Sequence, residues 1–121
     1  MPAAYAVAHL HDPHFNDDVL TYLERIQATM DPFGGSFLVH GGAVEVKEGS
    51  WPGTIVILEF PGLDEARAWY ESPAYQAILP LRTDHIVGDT LIVGGVDAGY
   101  DAARTAAAVR AGAAGPRSQP A

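Results

Sequence analysis

Glu59 stands in the apolar run Thr54–Phe60, His9 in Ala4–Leu10, His40 in Ser36–His40, and Arg82 closes the segment that starts at Ser72-Pro73. Period-two alternation puts His9 with Tyr5 and Val7, His40 with Leu38, and Glu59 with Ile55 and Ile57, so three strands send one titratable group each to a common face. A carboxylate there needs a cation or a proton, because burying an isolated charge costs several kcal/mol. The pattern predicts that Glu59 meets Arg82, His40 or His9. Its first reading is a structural pair between Glu59 and Arg82 that pins the sheet. An acid and a histidine in a dry pocket are also what proton transfer requires. His85, just ahead of the last strand, is a further acid/base candidate on a loop.

His9-Leu10-His11 with Asp12 and His14 has the ligand types of a zinc or iron site. Pro13 breaks the element, however, and no distant acid is placed to complete the set, so these read as strand-end surface histidines and no metal is expected. The chain has no Gly-x-Gly-x-x-Gly, no phosphate loop, no Gly-x-Ser-x-Gly and no His-Glu-x-x-His, which argues against a nucleotide cofactor and against serine hydrolysis. No cofactor is expected.

The elements that must position these groups follow in order. Ala4–Leu10 reads as the first strand. Asn16 can cap a helix over 16–30 with Asp17 and Asp18 at its positive end, and Phe15, Val19, Tyr22, Ile26 and Met30 form its buried stripe. Asp31-Pro32 ends it. Ser36–His40 is a second strand, expected to pass Gly41-Gly42 and continue through Ala43–Val46. After a turn-rich connection, Thr54–Phe60 is apolar on both faces. Leu63, Ala66, Trp69 and Tyr70 form the inner stripe of the next helix, and Ser72-Pro73 starts another, with Tyr75, Ile78 and Leu79 inward before Pro80. Thr90–Val93 is the last strand.

The order β-α-β-β-α-β puts both crossover helices on one face of a four-stranded antiparallel sheet, a ferredoxin-like α+β fold. The other face would carry Tyr5, Val7, Leu38, Ile55, Ile57 and Leu91 or Ile92, more apolar surface than a monomer usually exposes. A second copy is expected to cover it, making a dimeric α+β barrel with Glu59, His9 and His40 inside; the alternative cover is the Ala-rich tail. The domain is read as 1–96. An Ala-rich extension over 97–121 is helical in part, within 101–114, and then disordered from Gly115. Fifteen acidic against seven basic residues, a net charge of −8, argue against nucleic-acid or anionic-membrane partners. The absence of cysteine excludes thiolate chemistry. With no signal peptide and no long apolar run, the reading is a cytoplasmic protein.

Gly-Gly-Ser-Phe-Leu-Val-His-Gly-Gly, Val-Ile-Leu-Glu-Phe-Pro and Ala-Trp-Tyr-Glu-Ser-Pro-Ala-Tyr-Gln-Ala-Ile-Leu-Pro-Leu-Arg together resemble the family known as domain of unknown function 1330, over about residues 3–96. The resemblance implies the dimeric α+β barrel, a fold shared with cofactor-free monooxygenases, muconolactone isomerase and other small-molecule enzymes. The family generally has arginine where His40 stands. What it implies for function is a cofactor-independent enzyme of isomerase, cyclase, lyase or oxygenase type, acting on a small organic molecule of specialised metabolism. Glu59, His40, His9, Arg82 and His85 would be its catalytic candidates, and Tyr5, Leu38, Ile57, Trp69 and Tyr75 would line its pocket. The alternative is a metabolite-binding or purely structural dimer.

Overall fold

The computed structural model describes residues 2–112. Four antiparallel strands, β1 (Ala4–Leu10), β2 (Ser36–His40), β3 (Thr54–Phe60) and β4 (Gly88–Gly94), form one sheet in the order β2-β3-β1-β4. Helices α1 (Asp17–Met30), α2 (Leu63–Glu71) and α3 (Pro73–Thr83) accompany it, and α4 (Ala102–Arg110) follows β4. This is the α+β, ferredoxin-like arrangement that the element order predicts.

Local chemistry sets the helix starts. The Asn16 side chain accepts from the Val19 N–H at 2.9 Å, and the Ser72 hydroxyl oxygen accepts from the Tyr75 N–H at 3.2 Å with Pro73 in the first helical turn. Each cap satisfies a backbone donor that the helix itself leaves open. The Asp31-Pro32 stop is softened, because the chain tightens into a short 3-10 turn over Asp31–Phe33 before Gly34 reverses it at φ +73°. Pro80 does not end α3, which runs on to Thr83 and so brings Arg82 onto the helix.

The core lies between the sheet and α1 to α3. Ala4, Ala6, Leu58 and Phe60 of the sheet meet Tyr22, Ile26, Met30, Ala66, Trp69, Tyr75 and Ile78. Trp69 donates its indole N–H to Thr29 Oγ1 at 3.0 Å, and Thr29 donates to the Ile26 carbonyl at 2.6 Å, so the two helices share a satisfied buried polar link. Gly35 is a packing requirement. A Cβ there would stand 2.5 Å from the Phe60 ring.

Three expectations fail in the fold. β2 stops at His40, and 41–53 is loop, because Gly41 takes φ +70° and turns the chain out of the extended region. Phe15 precedes α1 and is 68 % exposed, since the cap at Asn16 starts the helical stripe only at Val19. Leu63 is 37 % exposed at the first position of α2, where it packs beside Gly94 rather than in the core.

The face away from the helices is open. Cross-strand partners Tyr5, Glu59 and Val93, then Val7, Ile57 and Leu91, then His9, Ile55 and Asp89, form rows across it. Leu91 and Val93 are exposed, whereas Ile92 packs on the core. α4 buries none of its residues, so among the described residues it is not the cover for this face. The stretch from Gly115 onward, expected to be disordered, lies outside the described residues.

Candidate functional site

A cavity of about 130 Å³ lies between the helix-facing side of the sheet and helices α1 and α3. Its walls are apolar: Ala6, Val19, Leu23, Ile26, Val56 and Leu58 are among the residues that line it. Four polar residues break that lining with groups that can hold a charge or move a proton: Tyr22, Tyr75, Arg82 and His40.

Arg82 reaches the cavity from the last turn of α3 and is 7 % exposed. Its guanidinium carbon stands 5.6 Å from the centre of the Tyr22 ring. The Tyr22 and Tyr75 hydroxyls are hydrogen-bonded to each other at 2.7 Å, and both act on the guanidinium. Among the described residues no carboxylate lies within 4.0 Å of it. Burial works to lower the pKa of Arg82, but the two tyrosine oxygens outweigh it and the net direction is upward, so the cation persists. Burial, and then the neighbouring Tyr22, push the Tyr75 hydroxyl well above its usual value against the opposing pull of Arg82. Tyr75 is therefore a neutral hydroxyl. A buried cation with no anionic partner, beside two hydroxyls and an apolar void, is the electrostatic profile of a site for an organic anion.

His40 is on this side of the sheet, contrary to the alternation rule. Phe37 pairs with Leu58 and Val39 with Ile57, which leaves Leu38 as an extra residue in β2, a bulge that shifts the face of everything after it. His40 consequently pairs with Val56, lies 4.9 Å from the Phe37 ring between centroids, and lines the cavity at its exposed mouth with Gly41 and Phe15.

The other sequence candidates lie elsewhere. Glu59 points to the open face with Tyr5 and Ser36, on the opposite side of the sheet from Arg82, so the predicted Glu59–Arg82 pair does not form. The reason is parity: Glu59 sits between Leu58 and Phe60, and those two face the helices. His9 is likewise on the open face, where its Nε2–H donates to the Pro52 carbonyl at 2.5 Å. His85 bonds Asp18 at 2.9 Å near the start of α1 and is not among the cavity residues. Of the expected pocket residues, Trp69 and Tyr75 line the cavity; Ile57 and Tyr5 belong to the open face, and Leu38 is the exposed bulge residue. The helical spacing marks Tyr22 only as core. Its hydroxyl, a polar tip in an otherwise apolar helical stripe, was the signal for a larger role.

The model of the domain of unknown function DUF1330 matches residues 3–96. The chain belongs to this family. No curated protein sequence matches it. Solved structures with the same fold include a protein of unknown function from Rhodopseudomonas palustris, at 11 % identity and TM-score 0.60, covering 79 % of this chain and 84 % of that one. SnoaB, a cofactor-independent oxygenase from Streptomyces nogalater, is 10 % identical with TM-score 0.55, over 84 % of this DUF1330 chain and all of SnoaB, 100 %. A dimeric ferredoxin-like protein of unknown function from Thermobifida fusca is 18 % identical with TM-score 0.50, over 79 % and 92 %. At these identities the likeness concerns the fold. Among the described residues of this DUF1330 protein, no helix is long and apolar enough to cross a membrane.

Proposed function

We propose that this protein is a cofactor-independent enzyme that binds a small organic anion in the cavity between the sheet and helices α1 and α3. The observation that carries this reading is Arg82, a buried cation that faces an apolar cavity and has no carboxylate within 4.0 Å among the described residues. A carboxylate of the ligand supplies the missing charge through charge-assisted hydrogen bonds, with the Tyr22 and Tyr75 hydroxyls beside it. A void of about 130 Å³ suits a body close to the size of benzene.

His40 is the acid/base group. It is the one histidine or carboxylate that lines the cavity among the described residues, and an imidazole changes charge near neutral pH. In a proton-shifting reaction of isomerase or lyase type, His40 takes a proton from a carbon of the ligand while Arg82 holds the carboxylate. SnoaB, a cofactor-independent oxygenase on the same fold, supports the view that this architecture can act without a cofactor.

The same proposal includes a homodimer. The rows Tyr5–Glu59–Val93 and Val7–Ile57–Leu91 leave a mainly apolar sheet face without a cover, and the Thermobifida fusca neighbour is a dimer. A second copy packed sheet to sheet removes that face from water. Glu59 then serves the interface, and the ligand site is the one on the helix side.

The test is a binding comparison followed by an exchange measurement. Benzoate and cyclohexanecarboxylate bind at least 10-fold more tightly than the corresponding amides, and Arg82→Met removes the difference. Among bound acids with an acidic C–H, the protein catalyses deuterium exchange from solvent, and His40→Gln stops exchange while leaving binding in place. Equal affinity for acid and amide overturns the anion site. Binding without exchange in a panel of such acids overturns the enzyme reading and leaves a metabolite-binding protein.

A further inference from the structure

The sequence places two histidines, His9 and His11, at the end of β1 with no distant acid placed to complete the set. The β1–β4 register supplies one, because His9 stands opposite Asp89. His11 lies just past the strand, and its backbone N–H donates to the Val87 carbonyl at 2.8 Å, which holds it beside β4. As a result His11 Nε2 is 3.2 Å from Asp89 Oδ2, and the rings of His9 and His11 are 4.2 Å apart between centroids. One potential ligand atom from each of the three residues lies within 4.8 Å of the others.

We propose that His9, His11 and Asp89 form a binding site for a divalent first-row transition ion of the zinc type. None of the three lines the apolar cavity, so this is a second site on the molecule. Two imidazoles and a carboxylate are the donor set that zinc, iron, nickel and copper share, whereas calcium and magnesium take oxygen ligands. Ligands bound at about 2.0–2.1 Å around a tetrahedral ion stand about 3.3 Å apart. His11 and Asp89 already have that separation, at 3.2 Å. From a spread of 4.8 Å, side-chain rotation of about 1.5 Å closes the set around an ion.

The surroundings hold His9 in place for this task. Its Nε2–H donates to the Pro52 carbonyl at 2.5 Å, and its ring stacks on Trp51 with centroids 4.1 Å apart and planes 21° from parallel. Donation from Nε2 fixes the tautomer and leaves the lone pair on Nδ1. A ring N–H given to a backbone carbonyl is the usual way a protein orients a metal-binding histidine. Gly53 makes the contact possible: at φ +112° it lies so close to β1 that a Cβ would meet the Leu10 carbonyl oxygen at 2.0 Å. The loop that carries Trp51 and Pro52 is thereby pressed against the strand that carries His9. Three protein ligands leave a fourth position for water.

The experiment is a calorimetric titration of the full, untagged, chelator-stripped protein with Zn²⁺ near neutral pH, repeated with Co²⁺ to read coordination from its visible absorption. The expected result is one ion per chain, with the intense visible bands of four-coordinate cobalt. Asp89→Asn weakens binding about 10-fold or more and His11→Ala about 100-fold, while His14→Ala has no effect. The Asp89 side chain is 83 % exposed, so Asp89→Asn tests the site without disturbing the fold. Absence of saturable binding, or equal affinity in the Asp89→Asn and His11→Ala variants, overturns the proposal and leaves a histidine–carboxylate hydrogen bond at the surface.

Discussion

Replacement of Arg82 by methionine tests the central argument, because it separates what this residue does for the fold from what it does for a ligand. Arg82 is 7 % exposed and has no carboxylate within 4.0 Å among the described residues. The effective cost of taking one ion out of water is several kcal/mol. Against this stand a cation–π contact with Tyr22 and the favourable electrostatics of the two nearby tyrosine oxygens. The first contributes about 0.5–2 kcal/mol, less than that cost, so without an anionic partner the buried guanidinium is close to balance or unfavourable. Methionine matches the apolar stem in length and adds no charge. Arg82→Met should therefore leave stability unchanged or raise it by about 1–2 kcal/mol, which moves the melting midpoint by about 4–8 °C per kcal/mol in a domain of this size.

Ligand reverses the order. With benzoate at 100 times its dissociation constant, the native protein gains about 2.7 kcal/mol and the variant gains nothing. The assay is urea unfolding followed by the fluorescence of buried Trp69, with and without benzoate. A variant less stable than the native protein by more than about 2 kcal/mol without ligand would show that Arg82 is a satisfied structural cation. A variant that gains as much from benzoate as the native protein would show that the ligand sits elsewhere. Either result refutes the reasoning.

The buried Tyr75 hydroxyl gives a pH dependence with a definite sign. Its folded-state pKa is raised above the ordinary value of about 10, first by burial and then by Tyr22, so the unfolded chain ionises first and stability falls as pH rises above about 10, by about 1.4 kcal/mol per pH unit. Urea unfolding at a series of alkaline pH values should show that slope, and Tyr75→Phe should flatten it. Gly35→Ala should cost about 1–3 kcal/mol in the same assay, because its Cβ would meet the Phe60 ring at 2.5 Å and the Met30 Cβ at 3.1 Å. A cost near zero would mean that the ring moves freely. Leu91→Lys, in the middle of the open sheet face, should convert the proposed dimer to a monomer in light scattering while the far-ultraviolet circular dichroism stays the same; a native protein that is already monomeric overturns the dimer.

What could be read directly from the chain was local. Asn16 and Ser72 announce their helices because a side-chain oxygen meets a backbone donor three residues on, a contact that needs no tertiary structure. The strands follow from alternation, and the element order limits the sheet to few topologies, since crossover connections have one hand. The Trp-Tyr-x-Ser-Pro-x-Tyr stretch likewise carries both the family resemblance and two residues of the cavity wall, Trp69 and Tyr75.

The site itself was decided in three dimensions. One extra residue at Leu38 moves His40 to the helix side, and a bulge is set by pairing with β3 rather than by anything within Ser36–His40. Glu59 is the charge that the sequence marks as needing a partner, but Arg82, the first partner expected for it, lies on the other side of the sheet. The sequence cannot distinguish a cation paired within the chain from one left facing a void, because that depends on which side chains fill the space between sheet and helices. The same holds at the strand end, where Asp89 reaches His11 across 78 residues of chain. Residue types and periods thus determined which groups need partners. Register and packing, which join positions far apart in the chain, determined which partners they have.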